Sequence, residues 1–287
     1  RPTRQPEMVK ALIVILTAAS VVIAQGICNR FQPVAGRCDL NATPAEQAKC
    51  LLRPVKKFAK LGPPLTALPA PLDTLVGQPT EPSFTLEQLK QFLVAKRISE
   101  ADVGGSLSIK LTAARYFVIH DTSDFQGDSA AVFPSSINDA GAQLNKLSRR
   151  VNQKVCHVYI NRVGQSATAV VFESLTPPNG TKFGRCNPSK RTAFLHIENI
   201  QPRIRDRSVN FANDAIAPEP GFTDSQLERL ALVYLVASAR AGKWLIPAYH
   251  SPVDLGFPDA HDDPQNFNLN QWALKLEETL AAVRAIQ

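Results

Sequence analysis

The sequence predicts an α/β protein built on a mixed central β-sheet flanked by helices. Three observations carry that prediction. Short runs rich in branched and aromatic residues recur between residues 116 and 198, as half-buried strands require. Two amphipathic helices then close the chain, one of them opened by a capping-box pattern. Strands followed by packed helices form one α/β layer architecture. The chain has 287 residues and is 44 % hydrophobic, enough for a sizeable buried core.

Residues 1–26 read as an upstream extension followed by a secretory signal. The uncharged run ALIVILTAASVVIA, residues 11–24, follows Met8 and Lys10, and Ala24 and Gly26 supply the small residues of a cleavage site. Fourteen residues fall short of the roughly 20 that span a bilayer, so the expectation is an exported protein, periplasmic or secreted. An uncleaved membrane anchor is the alternative, and no lipid-attachment run precedes Cys28.

Residues 27–82 form a Cys/Pro-rich segment. Cys28, Cys38 and Cys50 cluster there, while Cys156 and Cys186 lie further on. Disulfides fit export, the odd count leaves one cysteine over, and connectivity is not readable. No CxxC pair exists, which argues against a cysteine zinc knuckle. The stretch LGPPLTALPAPLDTLVGQPTEP, residues 61–82, lacks periodicity and reads as an extended linker or a wrapping segment.

Residues 83–112 form a short helical lead-in. Leu86, Leu89, Phe92 and Leu93 share one face of a helix reaching about Lys96, and VGGSL follows as a turn. Residues 113–287 are the main body. Tyr116 to His120 is an apolar strand; residues 155–161 and 167–173 flank RVGQ as a hairpin; residues 193–198 add another strand. The capping-box helix starts at Thr223, and the last helix, residues 269–285, carries Trp272, Leu276, Leu280 and Val283 as its apolar stripe.

The net charge is +7, and removing Arg1, Arg4, Glu7 and Lys10 (three positive, one negative) leaves +5. That favours anionic surroundings such as a cell wall or nucleic acid, but it is modest and spread out, and no nucleic-acid partner is expected. The basic run RPVKKFAK, residues 53–60, reads as a solvated face.

Of five histidines, His157 and His196 alternate with apolar neighbours inside strands and read as structural. His120 ends a strand. His250 and His261 lie in AYHSPVDLGFPDAHDDPQNF, which is too polar and proline-rich for a helix interior and reads as a loop able to line a site. That loop also offers Asp254, Asp259, Asp262 and Asp263. A hydrolytic zinc wants three ligands of the His/Asp/Glu kind plus an open position for water, and His120, His250 and one loop aspartate supply that set. Calcium or no metal are the competing readings of an aspartate-rich loop. The Cys156–His157 pair suggests a thiol nucleophile, but neighbours on a strand point to opposite faces.

The blocks YFVIHDTS, VCHVYINRVGQ, AFLHIEN, FTDSQLERLALV, YHSPVD and DDPQNF, followed by Trp272, resemble in order the signature blocks of type 2 N-acetylmuramoyl-L-alanine amidases. This zinc superfamily includes bacterial wall-recycling amidases, phage amidase lysozymes and peptidoglycan recognition proteins. The resemblance covers residues 113–287 and leaves 27–112 uncovered. It implies an amidase/peptidoglycan-recognition-protein-like fold and a peptidoglycan or muropeptide substrate. It also implies zinc-activated cleavage of the amide between N-acetylmuramic acid and L-alanine. The ligands it implies are His120, His250 and Asp263, with Asp262 or His261 as alternatives for the third, because Gln265 stands where the family has glycine and the gap from His250 is longer. Glu198 matches the family carboxylate that activates water, with Glu173 as competitor. His261 falls where several members carry an oxyanion-stabilising lysine. A non-catalytic peptidoglycan-binding protein of the same fold is the alternative.

Overall fold

In the computed structural model, which describes residues 26–57, 60–77, 81–127, 130, 132–208, 215–258 and 261–286, the architecture is mixed α/β. The elements in order are α1 (Pro44–Leu51), β1 (Val55–Lys56), β2 (Lys60–Leu61), α2 (Ala70–Val76), α3 (Leu86–Ala95), β3 (Tyr116–Asp121), β4 (Asp124–Phe125), β5 (Val158–Ile160) and β6 (Ser166–Thr168). Then come α4 (Lys182–Cys186), β7 (Phe194–Asn199), β8 (Pro202–Arg205), β9 (Ala215–Ile216), α5 (Asp224–Ala241), β10 (Ile246–Tyr249), α6 (His250–Val253) and α7 (Leu269–Arg284). The central sheet has the order β10-β3-β7-β5-β6. Its first four strands run parallel and β6 returns antiparallel.

The apolar run at 116–120 becomes β3 because it is buried on both faces, as a central parallel strand must be. Phe117 points to one face and meets Tyr234 of α5 edge-on at 5.2 Å. Tyr116 points to the other, stacks on Phe194 and donates its hydroxyl to Gln47 of α1 at 2.7 Å. Alternation then places His120 on the same face as Tyr116.

α5 is apolar nearly all round and lies between the sheet and α7, the position such a helix needs. Its capping box forms as the sequence predicts: the Thr223 hydroxyl accepts from the Gln226 amide and the Gln226 side chain accepts from the Thr223 amide. The helix ends at Gly242, whose φ of 63° is the left-handed cap that favours glycine.

Three elements differ from the sequence reading. The hairpin is real but short, β5 and β6 having three residues each, so Glu173 lies beyond it. The proline-rich stretch holds α2, whose Leu72, Leu75 and Val76 are buried in the common core; prolines tolerated in a first turn did not prevent a helix. Finally, residues 246–253 are a strand and a helical turn. Pro247 is accepted in β10 because that strand is the edge of the sheet.

The Cys/Pro-rich segment packs onto the body, with α1 lying against β10 and Ala48, Leu51 and Leu52 in the core. The Cys28–Cys186 disulfide fastens it to the body, Cys38–Cys50 closes a loop within it, and Cys156 is the buried free thiol. Among the described residues no helix is long and apolar enough to cross a membrane. The signal-like run at 11–24 and Asp259 lie outside the described residues.

Candidate metal centre

Parallel strands end together, and one row of residues at their carboxyl ends makes the site. His120 is in register with Glu198 across β3 and β7, and Glu198 with Tyr159 across β7 and β5. His250 follows Tyr249, the partner of Ile119, and so comes level with His120 from the β10 side. Four adjacent strands thus present His250, His120, Glu198 and Tyr159 in line. The crevice outside such strand ends is where open α/β sheets bind ligands.

Asp263 arrives from the opposite direction on the loop before α7. Its Oδ1 lies 2.9 Å from His250 Nδ1 and its Oδ2 lies 3.4 Å from His120 Nδ1. One ligand atom each from His120, His250 and Asp263 fall within 4.8 Å of one another, and all three residues are buried. A tetrahedral ion with bonds of about 2.0–2.1 Å holds its ligand atoms roughly 3.4 Å apart, close to the two separations from Asp263. Buried Glu198 Oε2 has no hydrogen-bond donor, as expected of an oxygen open to a cation or a bound water, while both Asp263 oxygens lie within 3.0 Å of His250 Nδ1. The group can therefore hold a metal ion.

Both histidines are held by their far nitrogens, leaving Nδ1 for the ion. His250 Nε2 faces Asp254 Oδ2 at 2.9 Å, and Asp254 is itself fixed by the amides of Lys182 and Phe183, each at 2.8 Å. His120 Nε2 faces His196 Nδ1 at 3.0 Å. Burial, with the nearby rings of His120 and His157, pushes His196 well below the usual histidine range, so its ring is neutral and can accept a proton bond from His120. Such outer partners set the tautomer and direction of a metal-binding imidazole.

The charges of these groups depend on one another. Burial alone would lower His250, but the charge and hydrogen bonds of Asp263 and Asp254 win and raise it well above its ordinary value. Burial would raise Asp263, yet the cationic His250 and bonds from both histidines hold it well below the carboxylate range. His120 is lowered to about 4, first by burial and then by charged His250. Glu198 is raised well above normal by burial and by the charge of Asp263. In the metal-free protein a proton on His250 supplies the positive charge that an ion would bring.

The ligand loop is pinned in place. Buried Arg203 of β8 grips both oxygens of Asp121 at 3.0 and 2.8 Å and reaches Asp262. The Gln265 amide donates to Asp121 at 3.1 Å, and its side chain bridges Ala217 and Ala215. Gln265 in place of the expected glycine therefore ties the loop to β9.

Of the residues the sequence singles out, His120, His250, Asp263 and Glu198 come together. Asp262 instead turns to Arg203 and Gln265. His261 stands at the rim, its side chain 57 % exposed and its Nδ1 3.9 Å from Asp263. Partial burial and the charge on His250 lower its pKa, which favours the neutral ring at neutral pH. Glu173 is elsewhere, paired with Arg240. Cys156 is buried and its thiol is pushed well up, chiefly by desolvation, so it is no nucleophile. Sequence reasoning missed the positioning roles of Asp254 and His196. The signal for Asp254 was its i,i+4 spacing from His250, which a helical turn converts into contact.

Comparison of the chain with protein-family models, with curated proteins and with solved structures finds no match.

Proposed function

We propose that the chain is a zinc-dependent hydrolase that cleaves the amide between the lactyl group of N-acetylmuramic acid and L-alanine of peptidoglycan or its fragments. The observation that carries this reading is the buried His120–His250–Asp263 trio with Glu198 in register beside it. Two neutral imidazole nitrogens and one carboxylate are a donor set that suits zinc and leaves a fourth position open. The order of sequence blocks that resembles type 2 amidases supplies the substrate class.

Zinc, when bound, polarises a carbonyl and acidifies water. The residues do the rest. Glu198 ionises more readily beside a bound cation, because an opposite charge offsets the burial that raises its pKa. It then takes a proton from the attacking water and returns it to the leaving amine. Asp254 and His196 hold the two ligand rings, while His261 offers a ring N–H at the rim to the developing oxyanion. Two disulfides and the signal-like run support an exported protein.

The test is metal content beside cleavage. The parent protein should hold about one zinc per chain, and His120→Ala, His250→Ala and Asp263→Ala should each lose it. Glu198→Gln should keep the metal and lose at least about 100-fold in release of new amino termini from a muropeptide. A zinc-loaded parent that binds peptidoglycan and releases none would make it the non-catalytic binder instead.

A further inference from the structure

Arg53 opens the basic run that the sequence reads as a solvated face, yet its side chain does not meet water. The residue is 4 % exposed and lies on the Cys38–Cys50 bond, its Nη2 3.2 Å from Cys38 Sγ and 2.6 Å from Cys50 Sγ. Nη2 also donates to the Gly36 carbonyl, and Nε donates to the Cys50 carbonyl at 2.9 Å. Burial lowers its pKa, and among the described residues no carboxylate pairs with it to oppose that shift. Arginines are seldom buried in this way, because desolvating an unpaired cation is costly.

Bonded sulfurs are weak acceptors and offset little of that cost. A thiolate is different. Beside a guanidinium a thiol loses its proton more readily and leaves a disulfide faster. The cation at this position is therefore matched to the reduced pair rather than to the oxidised one.

We infer that Cys38–Cys50 is a redox-active site that exchanges with external dithiols, Arg53 holding the thiolate that the exchange sets free. Cys50 is half-buried in the last turn of α1 whereas Cys38 is buried, so the attacking thiolate meets Cys50 Sγ. A bond forms between those two sulfurs, the Cys38–Cys50 bond breaks, and its electron pair stays on Cys38 beside Arg53. The second thiol of the reagent then attacks its own sulfur in the mixed disulfide and releases Cys50. The dithiol leaves as a disulfide, its two electrons having passed to the pair; one of its protons goes to Cys50 and the other to solvent. The pair can close again because other bonds hold its two halves. Tyr116 and the buried Ala48 and Leu51 fix α1, and Arg53 itself links the Gly36 and Cys50 carbonyls.

The experiment equilibrates the full chain in dithiothreitol buffers of graded potential, blocks free thiols by alkylation, and reads each cysteine pair by peptide mass spectrometry. Cys38–Cys50 should open while Cys28–Cys186 is still closed. Arg53→Met should move the Cys38–Cys50 equilibrium about tenfold or more towards the disulfide, a potential about 30 mV lower, and leave Cys28–Cys186 where it was. Arg53→Lys, which keeps the charge, should restore most of that shift. Opening of Cys28–Cys186 first or at the same potential would overturn the proposal, as would an Arg53→Met equilibrium equal to the parent's. A shift that persists in Arg53→Lys would assign the effect to the lost carbonyl links and overturn the thiolate role. Circular dichroism accompanies each variant, and the order of opening in the parent decides the matter if Arg53→Met does not fold.

Discussion

His250 carries the clearest consequence at the scale of single residues. In the metal-free protein it holds a proton between Asp254 and Asp263, and a metal must displace that proton. Metal binding should therefore release about one proton, and affinity should rise with pH until His250 deprotonates unaided; calorimetry in buffers of different ionisation enthalpy measures this. Stability of the metal-free protein changes in a different window. His120 stays neutral when folded down to about 4, whereas an unfolded histidine takes its proton near 6.5. The unfolded chain therefore binds more protons between those values, and stability falls as pH drops through them, by ~3 kcal/mol for His120 alone. His250, raised on folding, contributes stability that is full below about 6.5 and fades above it. Denaturation titrations at pH 6.5 and 4.5 on metal-free protein check the acid limb. Asp254→Asn should lower metal affinity by about 10- to 100-fold without abolishing it, since the ligands remain and only their orientation loosens. His120 was legible because an imidazole ends an apolar run. Asp254 was not, because its role depends on a helical turn and on amides contributed from residues 182–183.

Among the elements, long and strongly patterned pieces were readable and short ones were not. The helix over 224–241 announced itself by Thr223 and Gln226. Thr223→Ala should cost about 1–2 kcal/mol in chemical denaturation, at the upper end because the same hydroxyl also donates to the Arg162 carbonyl at 2.6 Å. Metal content should not change, since the cap lies on the helix packed against the opposite face. The four residues of β10 escaped notice because Ile-Pro-Ala-Tyr has no alternation and contains a proline. Only its neighbour β3 makes it a strand. β8 is similar: its pairing with β4 follows from the β3–β7 ladder continuing past Ser123, where the Asp124 amide donates to Gln201 and the Gln126 amide to Arg203. No local propensity encodes such a continuation.

For the whole molecule, the sequence separated residues 27–82 from the body by composition, and composition does not report packing. The segment is wired into the site. Cys28 is bonded to Cys186 at the end of α4, the same helix whose first amides hold Asp254. Gln32 donates to the Gly256 carbonyl at 2.9 Å, and Phe31 meets Phe257 at 4.9 Å, just beyond Asp254. Cys28→Ser with Cys186→Ser should therefore weaken metal binding by about tenfold as Asp254 loosens. Cys38→Ser with Cys50→Ser should not, although each pair contributes a few kcal/mol to stability. Metal competition with a chromophoric chelator distinguishes them.

The connectivity of those bonds also bears on how the protein is made. The Cys38–Cys50 loop is nested inside the bond from Cys28 to Cys186. A chain delivered amino-terminus first into an oxidising space exposes Cys28 and Cys38 together, long before Cys186 arrives 158 residues after Cys28. Oxidation in order of appearance joins the first two, which is the wrong pair. Correct maturation then calls for thiol exchange through a mixed disulfide, so yield should depend on a disulfide isomerase and not only on an oxidant.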